Sequence, residues 1–207
     1  MKVSKEQVAQ NREALLQAAA RLFRERGIDG VGVAEICKVA GLTHGALYAQ
    51  FPSKEALAAE ALAEGAAHAN GWMTARLQGR EPTLADHLEA YLSSQHRDNL
   101  GGGCAMAASA SEIARQPEDV SVAFSDGFNE LVGIIERTLA KSGTAAERRQ
   151  RALAITAAMI GGVAAARATA KASPALSDDI LVAMRRLLDD VGAEDKPRAK
   201  RARVARR

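Results

Sequence analysis

Apolar residues recur every three or four positions through most of this 207-residue sequence, which is the spacing of one face of an α-helix. In the first segment, Leu15, Ala19 and Leu22 form such a stripe, and Gly27 can stop the helix that carries it. The alternation of apolar and polar residues that is typical of strands is nearly absent. The pattern therefore predicts an all-α protein whose first helix spans about residues 7–26.

Residues 33–54 predict two short helices around a tight turn, the arrangement of a helix-turn-helix. Val33 and Ile36 belong to the apolar face of the first helix, and Gly41 can adopt the left-handed conformation that ends it. Thr43 then suits the N-cap of the second helix. The same spacing also fits any two packed helices with a glycine turn, so it leaves DNA binding and simple packing both open.

The second helix, residues 44–50, is the candidate reading helix because its outward side chains are short or can form hydrogen bonds. Leu47 and Phe51 lie four residues apart and are expected to anchor it in the core. Tyr48 offers a hydroxyl to phosphate, and Lys54 stands in the first turn of the next helix. We expect the N-terminal end of the reading helix to enter the major groove.

A recurrent set of glycine, apolar and polar positions runs through this region: Gly27, Val33, Ile36, Ala40, Gly41, Gly45, Leu47, Tyr48, Phe51, Ser53, Lys54 and Glu55. Their order closely resembles the N-terminal domain of TetR-family transcriptional regulators, over about the first quarter of the chain. The resemblance implies a homodimeric repressor whose C-terminal domain binds a small ligand and thereby lowers its affinity for a palindromic DNA operator. It also implies phosphate contacts from Thr43, Tyr48, Gln50 and Lys54, and an approach to base edges by His44, Gly45 and Ala46.

The chain departs from the family pattern at two places. Val31 and Gly32 stand where family members often have threonine or serine, so a phosphate contact and a side-chain cap are expected to be missing there. Gly32 remains an acceptable cap. Gln50 stands where family members often have histidine.

A larger set of helices is predicted beyond the reading helix. An alanine-rich helix should run from Ser53 to about Gln78 and join the reading helix to the remainder of the chain. Thr83 with Asp86 forms a capping-box pattern that opens the next helix, which the three glycines at 101–103 end. A shorter segment, residues 104–115, follows, and a helix opened by Pro117 comes after it.

The last two predicted helices, at about residues 145–172 and 178–191, form the predicted homodimer interface. Thr144 with Glu147 opens the first of them, and Ser177 is the expected cap of the second. Gly161 and Gly162 would let helix backbones approach closely across a four-helix contact. The alternative is that the two helices pack only within one chain.

The predicted organisation is thus an N-terminal three-helix DNA-binding domain with a helix-turn-helix at residues 1–52, followed by a larger helical ligand-binding and dimerisation domain at residues 53–194. A basic tail at residues 195–207 completes the chain and is expected to be disordered.

A mostly apolar cavity for a small-molecule effector is expected between the helices of the second domain. Its candidate lining residues are Trp72, Met73, Leu88, Tyr91, Leu92, Cys104, Met106, Ile113, Phe124 and Phe128. Helical stripes of such residues also arise from core packing, so the prediction concerns the set and not its single members.

Cys104 follows three glycines at a predicted helix start, a place where a thiol can become reactive. The segment GGGCAMAAS is similar to a Gly-Cys turn in some TetR-family regulators that respond to reactive electrophiles, which implies an electrophile or oxidant sensor. A buried and inert thiol is the alternative.

Charge is unevenly distributed. Residues 196–207 carry seven basic and no acidic side chains, so the formal net charge of +3 becomes −4 once these seven are set aside. The basic composition therefore does not itself support DNA binding by the reading helix. The tail suits sequence-independent phosphate contacts, or serves only to solvate the chain. An architectural DNA binder that relies on this tail is the alternative function.

Other classes of protein are disfavoured by what the sequence lacks. No secretory signal begins the chain, and the apolar run at 152–166 is shorter than a membrane span, so we expect a cytoplasmic protein without membrane contact. Cys37 and Cys104 are not expected to pair, and no metal-ligand spacing or cofactor motif occurs. The glycine triplet lacks the strand and lysine of a P-loop, so no enzymatic activity is expected.

Overall fold

The structure is a computed structural model that describes residues 4–64, 77, 79–139 and 143–193. Within these residues the chain forms ten helices and no strand, which confirms the predicted all-α fold. The helices are α1 Lys5–Arg26, α2 Val33–Ala40, α3 His44–Tyr48, α4 at residues 54–64, α5 Leu84–Tyr91, α6 Ser94–Asp98, α7 Ala105–Ile113, α8 Glu118–Thr138, α9 Ala145–Ala170 and α10 Pro174–Ala193.

The short helices α2 and α3 begin and end where the local capping signals predict. Gly32 caps α2 without a side-chain hydrogen bond, and Gly41 ends it with a left-handed φ of 69°. The Thr43 hydroxyl accepts a hydrogen bond from the Ala46 amide at 3.3 Å. The reading helix α3 is shorter than predicted, because it ends at Tyr48.

Both predicted capping boxes of the second half are present. Thr83 with Asp86 opens α5, and Thr144 with Glu147 opens α9. The helix predicted to run to the glycine triplet instead ends at Tyr91, and the separate α6 follows it. Each confirmed box is a pair of hydrogen bonds between residues three apart, and such bonds are independent of the rest of the fold.

The prediction that Ser177 caps the last helix is wrong. The helix α10 begins at Pro174, since proline is well suited to a first helical turn, and Ser177 lies inside it, fully buried. The Ser177 hydroxyl donates to the Ala166 carbonyl at 2.7 Å and accepts from the Arg97 guanidinium at 2.8 Å. Ser177 therefore joins three helices and does not end one.

Part of the predicted alanine-rich helix and the whole predicted basic tail lie outside the described residues. The alanine-rich helix is described as α4 at 54–64, whereas its continuation, including Trp72 and Met73, falls within residues 65–76 and 78. The basic tail at residues 195–207 also lies outside. The predicted domain boundaries stay predictions.

Two apolar cores organise the fold. Helices α1 to α4, here called the head, share one core with α7, to which Met106 and Ile113 contribute. The second core joins α5, α8, α9 and α10. The first core includes Leu57 and Ala58 of α4, so it continues past the predicted boundary after residue 52. Helix α7 therefore packs directly on the head.

The two glycines of α9 have different surroundings. A Cβ atom at Gly162 would lie 3.1 Å from Met184 Cγ of α10, so this glycine lets α9 and α10 pack closely within the chain. A Cβ atom at Gly161 would meet nothing within 4 Å. Of the two glycines, only Gly161 is exposed to solvent, and the close approach predicted at Gly162 occurs within the chain.

Helix α9 is long and apolar enough to cross a membrane by length and composition, and among the described helices it alone meets that test. The apolar run at residues 152–166 lies within this longer helix. In the fold, 44% of the most apolar 18-residue window of α9 is buried inside the protein.

Candidate reading helix and ligand cavity

None of the seven predicted DNA-contacting residues is buried. Thr43, His44 and Gly45 are exposed at the start of α3, and the Tyr48 side chain is 55% exposed. Ala46, Gln50 and Lys54 are half-buried. Leu47 and Phe51 anchor the opposite face, each at most 1% exposed. The reading helix thus presents a polar, small-residue edge to solvent while its apolar edge is held in the head.

Arg12 supports the end of the reading helix from behind. Its guanidinium carbon lies 4.7 Å from the centre of the Phe51 ring, within the range of a cation–π contact, and it also pairs with Glu60 of α4. The side chain therefore fixes Phe51 between α1 and α4. This contact joins residues far apart in the chain, so helical spacing could not reveal it.

Three hydrogen bonds connect the head to the α6–α7 region and to the turn after α7. The Ile28 amide, in the turn between α1 and α2, donates to the Glu112 carboxylate of α7 at 2.7 Å. The Gln116 side chain donates to Asp29 at 2.8 Å. Arg24 of α1 donates to the Gly101 carbonyl at 2.6 Å. Movement of α7 would therefore act directly on the turn that precedes the helix-turn-helix.

A cavity of about 400 Å³ lies between the head and helices α5, α7, α8 and α9. Its walls are formed by Gln17, Ala20, Arg24, Glu64, His87, Ala90, Tyr91, Ser93, Gln95, His96, Asn99, Gly102, Gly103, Cys104, Ala105, Met106, Leu131, Ile134, Ile135, Thr156, Met159 and Ile160. This volume falls within the range of pockets that hold small molecules.

The predicted ligand residues divide into three groups. Tyr91, Cys104 and Met106 line the cavity. Five others are buried or half-buried in the cores without lining it: Leu88, Leu92, Ile113, Phe124 and Phe128. Trp72 and Met73 lie outside the described residues.

Sequence reasoning missed several polar residues of the cavity wall, including Arg24, His87 and Thr156. A signal was present for two of them. His87 lies four residues before Tyr91 on α5, and Thr156 interrupts the apolar face of α9 beside Ile155. Polar residues on an otherwise buried helical face are candidates for a site.

His96 organises the wall around Cys104. The Cys104 amide donates to His96 Nε2 at 3.0 Å, which assigns the ring proton to Nδ1, and Nδ1 donates to the Tyr91 carbonyl at 2.6 Å. Arg167 donates to the carbonyls of His96 and Arg97. The turn before α7 is therefore held by hydrogen bonds at its start and its end.

Burial changes the acid–base properties of this wall. Desolvation lowers the pKa of His96 below its ordinary value of 6.5, and that of His87 likewise. Burial, followed by the nearby Cys104 thiol, raises the pKa of Tyr91 well above its ordinary value. The Tyr91 hydroxyl forms no hydrogen bond of acceptable geometry within the protein. The Cys104 thiol therefore affects the pKa of Tyr91 as a nearby group. The wall is uncharged at these three residues near pH 7.

The Cys104 thiol is half-buried on the cavity wall and forms no disulfide, and Cys37 is free and buried. Cys104 is the N-cap residue of α7, without a side-chain capping bond. Its sensor role stays a prediction, as does the inert alternative. Among the described residues, no group of three or more histidine, cysteine or acidic side chains is placed to hold a metal ion.

Acid should destabilise the fold through the two half-buried histidines, His87 and His96. Because their pKa values are lowered in the folded state, the unfolded chain binds protons more readily below about pH 6.5, and the free energy of unfolding falls as the pH falls. Each histidine contributes a slope of at most about 1.4 kcal/mol per pH unit. Urea unfolding followed by circular dichroism at pH 7.5 and 5.5 measures the change.

The variant His96→Gln should show a smaller decrease over this pH range, because it removes one of the titrating side chains. The matched control is His44→Gln, which alters an exposed histidine of α3 and should keep the pH dependence of the wild type. Equal pH dependence in His96→Gln and the wild type would contradict the assignment to His96.

Comparison with known families gives the identity of this fold. The family model described as bacterial regulatory proteins, tetR family, matches residues 15–61, and the model described as Transcriptional regulator LmrA/YxaF-like, C-terminal domain, matches residues 82–177. The chain belongs to the TetR family. The N-terminal match covers the helix-turn-helix, and the C-terminal match covers most of the cavity wall and the start of α10. This TetR-family protein is a DNA-binding transcriptional regulator.

Characterised relatives are consistent with membership of the TetR family. HTH-type transcriptional regulator LmrA of Bacillus subtilis (strain 168) is 29% identical over 176 residues, which cover 80% of this chain and 90% of the relative. HTH-type transcriptional repressor NemR of Escherichia coli (strain K12) is 28% identical over 132 residues, covering 62% of this chain and 66% of the relative. These relatives are named as regulators of transcription.

Solved structures share the fold. The reduced form of E. coli NemR superposes with a TM-score of 0.71 at 23% identity, covering 91% of this chain and 99% of that chain. A TetR-family regulator from Agrobacterium tumefaciens has a TM-score of 0.68 at 24% identity, with coverage of 90% and 100%. At these identities the likeness establishes the fold.

Proposed function

We propose that this TetR-family protein is a homodimeric, ligand-responsive repressor that binds a palindromic operator, acts in the cytoplasm and has no enzymatic activity. The observation that carries the proposal is the exposed edge of α3, where Thr43, His44, Gly45 and Tyr48 face solvent on a helix whose other side is anchored by Leu47. Such an edge meets the requirement of a helix that enters the major groove.

The residues of this edge would divide into those that contact phosphates and those that approach base edges. The Thr43 hydroxyl already accepts from the Ala46 amide, so its own proton is available to a phosphate oxygen. Tyr48, Gln50 and Lys54 would add phosphate contacts. His44 would reach base edges, and Gly45 with Ala46 would let the backbone approach them.

Exposed apolar stripes on α9 and α10 support the homodimer. On α9, Leu153, Ala157, Gly161 and Ala165 follow one another at intervals of four residues, and all are exposed. On α10, Leu176, Ala183 and Leu187 are exposed at helical spacing. A two-fold contact between these faces would present two reading helices to half-sites about 34–36 Å apart.

Ligand response would pass through α7. This helix begins at the cavity with Ala105 and Met106, and its Glu112 is bonded to the Ile28 amide of the head. A ligand that favours one position of α7 would therefore favour one orientation of the head. The direction of the effect follows the family expectation that ligand binding lowers affinity for the operator.

Selection of bound sequences from random DNA tests the proposal directly. We expect an inverted repeat, and we expect the same repeat from protein truncated after residue 194, which lacks the basic tail. Equal binding to random DNA that is lost on truncation would favour the alternative, an architectural binder that relies on the tail.

Removing the Tyr48 hydroxyl should weaken binding to every sequence. With one hydrogen bond lost per reading helix, at about 1 kcal/mol each, Tyr48→Phe should lower the affinity of the dimer roughly 30-fold. Lys54→Ala should also weaken binding and reduce its salt dependence, whereas substitution of His44 should alter base preference. Fluorescence anisotropy on the selected operator and on single-base variants measures these effects.

The matched control for Lys54→Ala is Lys171→Ala, which removes an exposed lysine at the C-terminal end of α9. This variant should bind operator as the wild type does. Equal losses from both substitutions would show a general charge effect and count against a specific contact by Lys54.

A further inference from the structure

Three buried polar atoms at the cavity have no hydrogen-bond partner within the protein. They are His87 Nε2, Tyr91 Oη and Thr156 Oγ1, and each belongs to a residue that lines the cavity. In the part of the chain that the structure describes, these are the buried side-chain nitrogens and oxygens without a partner. Burying such an atom unpaired destabilises a fold, so their concentration at one cavity indicates that they serve a bound molecule.

The three atoms come from two different walls. His87 and Tyr91 lie four residues apart and so share a face of α5, while Thr156 belongs to α9 and is only 2% exposed. The remaining walls are largely apolar and include Met106, Leu131, Ile134, Ile135, Met159 and Ile160. A molecule in this cavity would therefore meet hydrogen-bonding groups from two helices and apolar contacts elsewhere.

The charged residues of the lining balance one another. Arg24 and Glu64 supply one cation and one anion, and they interact favourably across the wall. Arg24 already donates to the Gly101 carbonyl. Burial keeps the imidazoles of His87 and His96 neutral at pH 7, because it lowers their pKa values. Arg167 lies close enough to act electrostatically on Tyr91 and His96, but its guanidinium already donates to the carbonyls of His96 and Arg97. The residues that line the cavity therefore offer no net charge of their own to compensate the desolvation of an ionic ligand.

We propose that this cavity recognises an uncharged, largely apolar molecule carrying at least two hydrogen-bonding groups, which His87, Tyr91 and Thr156 hold. The inference rests on the proposed ligand-responsive function and names the chemical class of its effector. Hydroxyl and carbonyl groups suit the site, because the Tyr91 and Thr156 hydroxyls can donate or accept and the His87 nitrogen does either according to its tautomer.

A series built on one ring system tests the proposal. Naphthalene has no hydrogen-bonding group, 2,7-dihydroxynaphthalene has two and is uncharged at pH 7, and 2-naphthoate is an anion. Affinities for the full-length protein are measured without DNA by fluorescence titration. We expect 2,7-dihydroxynaphthalene to bind roughly 10- to 100-fold more tightly than naphthalene, the factor for two net hydrogen bonds. We expect 2-naphthoate to bind at least about tenfold more weakly than the diol.

Two isosteric variants assign the preference to the named atoms. Thr156→Val and Tyr91→Phe each remove one unpartnered hydroxyl, so each should reduce the preference for the diol over naphthalene about 3- to 10-fold. Neither should lower the thermal unfolding midpoint, since each removes a buried polar atom that has no partner in the protein. The matched control is Thr169→Val, on the same helix as Thr156. The Thr169 hydroxyl donates to carbonyls of its own helix, and the residue does not line the cavity. It should keep the full preference.

Equal affinity for naphthalene and the diol, tightest binding of 2-naphthoate, or failure of all three probes to bind would each overturn the proposal. A preference that survives both Thr156→Val and Tyr91→Phe would overturn it as well. Adding the diol to the protein–operator complex is a separate measurement. If the diol binds as expected but leaves DNA affinity unchanged, the ligand-responsive function fails while the recognition chemistry stands.

Discussion

Replacing Leu187 with glutamate is expected to make the protein monomeric and to lower its affinity for operator DNA at least about 100-fold. Leu187 is the most exposed large apolar residue in the described part of the chain, at 57%, and it lies on the outward stripe of α10. Across the proposed two-fold interface the substitution introduces two carboxylates into an apolar contact, where their desolvation costs free energy. We expect this cost to outweigh the free energy of dimerisation.

Loss of the dimer acts on DNA binding through effective concentration. In a dimer, the first bound reading helix holds the second near its half-site, and this linkage contributes factors of about 10²–10⁴ to affinity. A monomer binds each half-site independently and loses that factor. Light scattering coupled to size exclusion measures the oligomeric state, and anisotropy on full and half operators measures the affinity.

The control for this substitution is Val122→Glu. Val122 is 52% exposed on α8, outside the proposed interface, so the same change of side chain should leave the protein dimeric and able to bind operator. Circular dichroism should show that Leu187→Glu keeps its helical content, because the leucine is solvent-exposed within a single chain. A dimeric Leu187→Glu protein with unchanged operator affinity would show that α10 does not form the interface.

Replacing Gly27 with alanine is expected to cost about 2–6 kcal/mol of unfolding free energy. Gly27 has φ of 80° and ψ of 163°, a region that residues with a Cβ atom enter only with strain of about 1–3 kcal/mol. Its added Cβ would also lie 1.9 Å from a Glu112 carboxylate oxygen, so that side chain must move. The Ile28 amide then loses its 2.7 Å hydrogen bond, which adds a cost of about 1–3 kcal/mol.

Two comparison variants separate these costs. A Cβ atom at Gly41, with φ of 69°, would meet nothing within 4 Å, so Gly41→Ala should cost only the left-handed strain of about 1–2 kcal/mol. Glu112→Ala should cost the hydrogen bond alone. Urea unfolding of the single variants and of the double variant Gly27→Ala, Glu112→Ala completes a double-mutant cycle.

The double variant should cost less than the sum of its two single variants, because removal of Glu112 relieves the clash and the hydrogen bond can be lost only once. Strict additivity would show that Gly27 and Glu112 act independently. Since Glu112 also joins α7 to the head, Glu112→Ala should weaken the effect of a bound ligand on DNA affinity, an effect that Gly41→Ala should leave intact.

Capping residues could be predicted from the sequence, because their hydrogen bonds close within three or four positions. Thr43 and the capping boxes at Thr83 and Thr144 are confirmed on that basis. Ser177 has the same type of side chain, yet its partners are Ala166 and Arg97. Local rules fail where a distant group competes for the same hydroxyl.

The candidate cavity could be predicted only in part. Tyr91, Cys104 and Met106 line it as expected, whereas Leu88 and Leu92 lie in the core. Helical periodicity indicates which residues face inward, but not which of them meet a neighbouring helix and which meet a cavity. That distinction depends on the distance between helices, which side chains on several elements set together.

The sequence by itself determined the helical class, most of the helix boundaries, the helix-turn-helix and the family, because all of these depend on periodicity, capping and the order of nearby residues. Only the tertiary structure decided that α7 connects the cavity to the head through Glu112, that Gly161 faces outward while Gly162 packs inward, and that His87, Tyr91 and Thr156 converge. These features join residues tens of positions apart, and packing, not local preference, brings such residues together.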